Sequence, residues 1–151
     1  AIVDRLWSDW RIPITEDRRM SKLEIPMPRA FWAEIGGTLI EEYLVVPSGP
    51  NQGRRLLDAI ILPDGPTEIR HWKEVDLRGQ NVVLVQTKAS RLGMYLMGQT
   101  LFSIELVKPL KPKSIRSVAL CNRDDAVLRP FLESFEGCEV RVMPSISEPI
   151  A

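Results

Sequence analysis

Three polar side chains interrupt or end two strongly apolar segments of the chain. Asp58 lies inside the apolar stretch 56–62, and Gln86 and Lys88 close the apolar run that begins at Val82. Residues two apart on a strand face the same side, so Gln86 and Lys88 point together. If the two strands are neighbours, Asp58 joins them in one pocket. A carboxylate, an amide oxygen and an ammonium together are what a magnesium-dependent phosphodiesterase needs.

Each of these residues also has a plain structural interpretation. Asp58 could pair with a neighbouring arginine, and the segment that ends in Lys88 could simply lead the strand into solvent. Aspartate is depleted in strands, however, and an anionic side chain between leucine and alanine needs a partner. A divalent cation is a suitable partner. The chemical interpretation is favoured because Asp58 lies on the strand before that of Lys88. The two residues are at similar distances along the sequence from the turns that bound their strands.

Carboxylates nearer the N-terminus could complete such a site. Glu34 and Glu41 are seven residues apart, which places them on one face of a helix if that helix continues through Gly36-Gly37. Together with Glu42 they could equally form a solvated surface. Gln99 lies among apolar residues of a later helix. Its amide is either satisfied within an interface or directed at the site or at a substrate.

The composition bounds the class of protein. The 151 residues are 44% apolar and 26% charged, as in an ordinary globular domain with a core. The 20 basic and 20 acidic residues balance, so a polyanion would have to bind to a local patch. Two cysteines, Cys121 and Cys138, are too few for a disulfide scaffold. His71 is the sole histidine, which argues against a multi-histidine metal site and against any triad that does not use it.

The apolar runs are too short for a membrane protein. None approaches the ~18 residues of a spanning helix. The first residues turn charged at Asp4, which argues against a signal peptide. We therefore expect a cytoplasmic protein that does not contact a membrane.

The periodicity predicts one α/β domain over 29–144, preceded by an extended arm over 1–28 and followed by a loose tail over 145–151. The first helix is predicted over 29–37, or to about Tyr43 if it continues through the glycines. Strands are predicted at 38–47, 54–62, 81–87, 117–121 and 138–143, and two more helices at 90–107 and 126–135. Residues 67–80 stay unassigned. The order αβββαβαβ predicts a mixed central sheet with helices on both faces.

Taken in order, the motifs resemble those of the PD-(D/E)XK nuclease superfamily, which includes restriction enzymes, Holliday-junction resolvases and RecB-type exonucleases. The resemblance covers about residues 29–143. It runs through Gly37-Thr-Leu-Ile-Glu41, Arg55-Leu-Leu-Asp58, Gln86-Thr-Lys88 and Gly98-Gln99. It implies a restriction-endonuclease-like fold and hydrolysis of phosphodiester bonds.

The resemblance also implies roles for the candidate residues. Asp58, Gln86 and a helix acid, Glu41 or Glu34, would bind Mg²⁺, for which Mn²⁺ can substitute, and Lys88 would assist catalysis. Two features depart from the superfamily pattern.

The first departure is a leucine, Leu57, in place of the proline before the metal-binding aspartate. The second is Gln86 in place of the third-strand acid, which removes one negative charge from the site. Gln99 resembles the glutamine that follows the lysine in the RecB-like branch.

The leading hypothesis is a metal-dependent DNA endonuclease or nuclease-like domain. Gln99, Arg55 and Arg91 would contact the substrate, with further phosphate contacts from Arg54, Lys108, Lys111 and Lys113. The alternative is a catalytically decayed nuclease-fold subunit that binds or adapts within a larger DNA-processing or defence complex. A third interpretation is a structural subunit in which Asp58 and Lys88 form a simple ion pair. A homodimer or a larger protein complex is compatible with these hypotheses.

Overall fold

The computed structural model describes Glu24 and residues 26–143. Within this part, six strands form one sheet in the order β3-β1-β2-β4-β5-β6, and three helices pack against it. The elements are α1 (Pro26–Ile35), β1 (Thr38–Val46), β2 (Arg55–Leu62), β3 (Glu68–Arg70), β4 (Asn81–Arg91), α2 (Met94–Val107), β5 (Ser114–Arg123), α3 (Leu128–Glu133) and β6 (Cys138–Val142). Short 3-10 turns occupy Trp72–Glu74 and Lys108–Leu110.

The sheet is mixed, as the sequence predicts. β2 pairs antiparallel with both β1 and β4, while β5 pairs parallel with β4 and β6. The parallel pairs are joined by α2 and α3 in turn, as expected of strand–helix–strand units. The unassigned segment 67–80 supplies the edge strand β3, which runs parallel to β1. Its three residues are all exposed, so no apolar pattern marked it.

The two faces of the sheet carry different helices because successive residues of a strand alternate in direction. Val83 and its counterparts on neighbouring strands pack with Met27 and Phe31 of α1. Leu84, one residue later, belongs to the core on the opposite face, with Val107 of α2. Helices on both faces are thus confirmed. None of the helices in the described part of the chain has the length and apolarity needed to cross a bilayer.

The glycine pair ends α1, so the alternative in which the helix continues to Tyr43 is wrong. The Gly36 N–H donates to the Trp32 carbonyl at 2.7 Å, and both glycines have positive φ, 74° and 87°. Left-handed glycines are the usual helix terminators. The Trp32 indole N–H then donates to the Gly37 carbonyl at 2.6 Å and fixes the direction in which the chain enters β1.

We expect Gly37→Ala to lower the free energy of unfolding by about 2–4 kcal/mol. A β-carbon on Gly37 would collide with the Leu62 carbonyl oxygen and lie 2.8 Å from the Pro63 Cα, and φ is +87°. Urea denaturation measures the change. Gly98→Ala is the matched control, since its β-carbon would meet nothing within 4 Å. That control should gain up to about 1 kcal/mol from helix propensity. Equal effects of the two substitutions would contradict the argument.

Several predicted boundaries are corrected, and two of them bear on the site. Glu24 and Pro26 are already helical, so the helix starts inside the region predicted as an extended arm over 1–28. β4 continues to Arg91 and α2 starts only at Met94, because the end of β4 still pairs with β5. The remainder of the predicted arm and the predicted tail over 145–151 lie outside the described residues.

Candidate functional site

The polar residues of β2 and β4 lie where the two strands separate. Backbone pairing between these strands stops at the Ala59–Val85 pair. One step further, side chains bridge the gap. The Thr87 N–H donates to Asp58 Oδ2 at 2.8 Å, and the Asp58 N–H donates to Gln86 Oε1 at 3.4 Å. The structure therefore brings Asp58 and Gln86 together at the point where the sheet opens.

This opening forms the floor of a groove of about 840 Å³. The segment that leads into β2 forms one wall, and α2 forms the other. Among the residues that line the groove are Glu42, Arg55, Asp58, Gln86, Gln99 and Phe102. A groove of this size accommodates a substrate segment rather than a single ion.

Asp58 is exposed to water on the side that faces the groove, while many protein atoms surround its other sides. Desolvation by these surroundings raises the pKa of Asp58 to about 6, against the lowering effect of the Thr87 N–H. The negative charges of Glu24 and Glu42 raise this pKa further, and the Lys88 ammonium lowers it. The Asp58 carboxylate is thus held among like charges, an environment that a proton or a divalent cation relieves.

Lys88, predicted to share one pocket with Asp58 and Gln86, does not line this groove and extends instead toward Glu24, an acid that the sequence-based prediction did not include. Its Nζ lies 3.8 Å from Glu24 Oε1, which also accepts the Ala89 N–H at 3.2 Å. Glu24 therefore places an acid from the start of the first helix at the ends of the strands. The prediction began that helix at Arg29 and so overlooked it. The signal was present in the sequence, because proline is favoured in a first helical turn and Pro26 follows Glu24 by two residues.

Gln86 has a structural role that accounts for an amide at this position. The side chain is only 3% exposed, and its Nε2 donates to Ser103 Oγ on α2 at 2.9 Å. The Ser103 hydroxyl in turn donates to the Gln99 carbonyl. A glutamate at 86 could not donate to Ser103 unless it were protonated. The Gln86 amide therefore links β4 to α2.

Glu42 is the strand acid next to Asp58. The β1–β2 register pairs Glu41 with Ala59 and Tyr43 with Leu57, which puts Glu42 opposite Asp58. Its φ of 51° is left-handed, a conformation uncommon for residues other than glycine. This conformation interrupts the alternation of β1, and Glu42 lines the groove. Nothing in the sequence marks Glu42 as left-handed, so it could not be preferred over Glu41.

The predicted helix acids lie elsewhere, which is a correction to the expected site. Glu41 belongs to β1 rather than to a helix and accepts Arg29 Nη2 at 2.7 Å on the α1 side of the sheet. Glu34 is an exposed residue of α1 that pairs with Arg141 of β6. Neither lines the groove that holds Asp58, although Glu41 lines an adjoining groove beside Trp72. The helix stops at the glycines, so the seven-residue spacing no longer aligns the two acids.

The predicted substrate contacts divide into two groups. Gln99, Arg54 and Arg55 line the groove. Arg91 does not, and its guanidinium donates to the Asp124 carbonyl at 2.7 Å. Three predicted phosphate contacts at the far end of α2 do not line the groove either: Lys108, Lys111 and Lys113.

The donor set suits a hard cation that retains water ligands. Among Glu24 and residues 26–143, no three Asp, Glu, His or Cys side chains cluster as a closed metal cage. Magnesium is usually held by one or two carboxylates together with substrate phosphates and water, so a closed cage is not required. Asp58 accepts the Thr87 N–H with one carboxylate oxygen, and Glu42, opposite it on β1, lines the same groove. These residues fit such an ion.

Comparison with known proteins gives no match: none by protein-family model, none among curated sequences and none among solved structures. The resemblance to the nuclease superfamily therefore rests on the residues and their placement.

Proposed function

We propose that this domain hydrolyses phosphodiester bonds of DNA with the help of Mg²⁺, on a restriction-endonuclease-like fold. The observation that carries the proposal is the environment of Asp58. Its carboxylate accepts the Thr87 N–H where β2 and β4 part, at the floor of a groove that Glu42 also lines. Desolvation, and then the charges of Glu24 and Glu42, raise its pKa to about 6. Strongly perturbed acids at the floor of a groove are typical of functional sites.

The residues of the proposed site would have separate roles. Asp58, together with Glu42 or Glu24, would hold the cation, and Gln86 fixes the end of β4 against α2 so that the acids keep their positions. A bound Mg²⁺ would supply Lewis-acid stabilisation of the phosphate oxygens and lower the pKa of a coordinated water. Lys88 places a positive charge on the same end of the strands, where it would stabilise charge developing on the phosphate.

The element order supports the fold assignment. A helix, an antiparallel three-strand unit, a helix and a parallel strand follow one another, and the short β3 is an addition at the edge. Asp58 lies on the second long strand, and Gln86 and Lys88 lie on the third, as the resemblance implies. The fold proposal and the site proposal therefore draw on the same placement.

The proposal is tested by incubating labelled single-stranded, nicked and duplex DNA with the purified protein. Mg²⁺, Mn²⁺ and a chelator are compared. We expect cleavage of at least one substrate that requires the divalent ion and rises with pH through about 6, as Asp58 ionises. Cleavage that persists in the chelator, or none with any substrate and ion, would count against the proposal.

We expect Gln86→Glu to raise the affinity for Mn²⁺, because a carboxylate adds a full charge to a hard-cation site where an amide adds a dipole. Without metal the variant should lose stability, since a buried anion would face Ser103 and Asp58. Calorimetry measures the first effect and urea denaturation the second. Gln99→Glu, which adds the same charge to the groove on α2, is the control and should change affinity less. Equal or weaker binding by Gln86→Glu would show that the side chain at position 86 does not face the cation.

The second candidate function is a nuclease-fold subunit that binds DNA without cutting it. Two observations favour it. The Gln86 amide is committed to Ser103, and the ion pair of Lys88 is with Glu24 rather than with a substrate-facing group. Under this interpretation DNA binding would be independent of divalent ions, and Gln86→Glu would create weak cleavage or none.

A further inference from the structure

The groove over Asp58 continues into a second one. This second groove has a volume of about 540 Å³ and lies beside the 3-10 turn that contains Trp72. The two grooves share four lining residues: Glu42, Ser48, Arg54 and Leu56. The two grooves therefore adjoin and are together named the composite groove, and Asp58 lines the part beside α2.

Exposed rings line the α2 end of the composite groove. Tyr95 is 79% exposed and Phe102 is 64% exposed. They are seven residues apart on α2, which places them two turns apart on the same side of the helix. Gly98, between them, also lines the groove, and a β-carbon there would meet nothing within 4 Å. The helix thus presents two exposed rings with open space at Gly98 between them.

The other end of the composite groove carries a ring and a cation. Trp72 packs edge-on against Tyr43 with ring centroids 6.1 Å apart, which fixes the indole. The Lys73 ammonium lies 5.7 Å from the centre of the Trp72 ring. Arg54 lines both grooves, and the exposed Arg55 lines the one over Asp58. The composite groove therefore has exposed rings on α2, a half-buried indole beside Lys73 in its other part, and Arg54 among the residues that both parts share.

We propose that the composite groove binds a single-stranded nucleic acid, which enters along the rings of α2 and passes Asp58 toward Trp72. Aromatic side chains stack on base faces that are accessible in a single strand and covered in a duplex. The arginines would contact the phosphates between stacked bases. This inference rests on the proposed function in one respect, because it names the substrate class of the same site. Its binding component is independent of cleavage.

The test is fluorescence anisotropy of the full chain in a chelator, which prevents metal-dependent cleavage. The probes are labelled oligo-dT, oligo-rU of the same length, and a duplex of that length. We expect a single strand to bind at least about 10-fold more tightly than the duplex, with affinity falling as salt rises. The dT and rU probes distinguish DNA from RNA.

Substitutions locate the binding surface. Tyr95→Ala and Phe102→Ala should each weaken single-strand binding by about 5-fold or more, the cost of one lost stacking contact. Tyr95→Phe should retain the affinity. Phe131→Ala is the control, because Phe131 is 61% exposed on α3 and does not line either groove. Both rings under test are exposed, so their loss leaves the core intact, which circular dichroism verifies.

Equal affinity for single strand and duplex, or unchanged affinity in the Tyr95→Ala, Phe102→Ala double variant, would overturn the inference. The outcomes separate it from the proposed function. Divalent-dependent cleavage of duplex with no single-strand preference would leave the nuclease proposal standing and overturn this one. Single-strand binding that depends on Tyr95 and Phe102, without cleavage under any divalent ion, would support this inference and overturn the nuclease proposal.

Discussion

Asp58→Asn is expected to lower divalent-dependent DNA cleavage by on the order of 10³-fold or more, since it removes the central charged ligand of the proposed site. The fold should be unaffected. The asparagine Oδ1 can still accept the Thr87 N–H, so the strand ends remain bridged. Single-turnover cleavage assays on wild type and variant measure the change.

Asp64→Asn is the matched control for this substitution. Asp64 accepts the Asn81 amide at 2.7 Å in an exposed turn, a bond that an asparagine can also make. It lines neither groove and should leave cleavage unchanged. Asp58→Asn that cleaves at the wild-type rate would rule out Asp58 as a metal ligand.

Asp58→Asn should also be more stable than the wild type at neutral pH. The Asp58 carboxyl has a pKa of about 6 when folded, above its ordinary 3.8. Well below about pH 4 the carboxyl is protonated in both the folded and the unfolded state and does not change the free energy of unfolding. Between about pH 4 and pH 6 the unfolded chain ionises first, so the folded state loses stability as pH rises and carries the full penalty above about pH 6.

Urea denaturation at several pH values checks this sign. We expect Asp58→Asn to gain on the order of 1 kcal/mol at pH 8, because water in the groove screens part of the penalty, and nothing at about pH 3, where the carboxyl is protonated in both states. A variant that is less stable than the wild type at pH 8 would show that the Asp58 charge is satisfied without a cation.

Lys88→Met is expected to lower cleavage by about 10²–10³-fold while leaving metal binding intact or stronger. The Lys88 ammonium lowers the pKa of Asp58, so its removal takes a positive charge away from the cation site. A drop in the cleavage rate with no drop in metal affinity separates a catalytic charge from a metal ligand. Lys88→Arg should recover part of the rate.

Lys113→Met is the control for the loss of one positive charge, because Lys113 is exposed and outside both grooves. Its effect on cleavage should be small. If Lys88→Met and Lys113→Met lower the rate equally, Lys88 acts only through the overall field of the protein and not at the reacting phosphate.

The central strands could be predicted from the sequence because they are continuous apolar runs bounded by turns. Asp58 and Gln86 could be placed side by side for the same reason, since the register follows from the paired strands. The helix around Phe31 was predicted in type but not in extent. Its true start near Pro26 depends on proline in a first turn, and its end at Gly36 depends on a left-handed backbone.

The acids around Asp58 could not be chosen from the sequence. Glu41 and Glu42 are adjacent and chemically alike, and only the left-handed φ of Glu42 and the Arg29 bond to Glu41 distinguish them. Glu24 reaches Lys88 across 64 residues of chain through tertiary packing. Local patterns carry no information about such contacts, whereas the buried Gln86–Ser103 bond could be suspected from two polar residues in apolar surroundings.

The measurement that tests the central claim most directly is an anomalous-scattering map from crystals soaked in Mn²⁺. The proposed site predicts a peak at coordination distance, roughly 2.1–2.2 Å, from a carboxylate oxygen of Asp58, with Glu42 or Glu24 contributing a second ligand. The peak should be absent in crystals of Asp58→Asn. A map without a peak in the groove, with Asp58 still held by Thr87 alone and Lys88 still paired with Glu24, would contradict a metal-dependent nuclease.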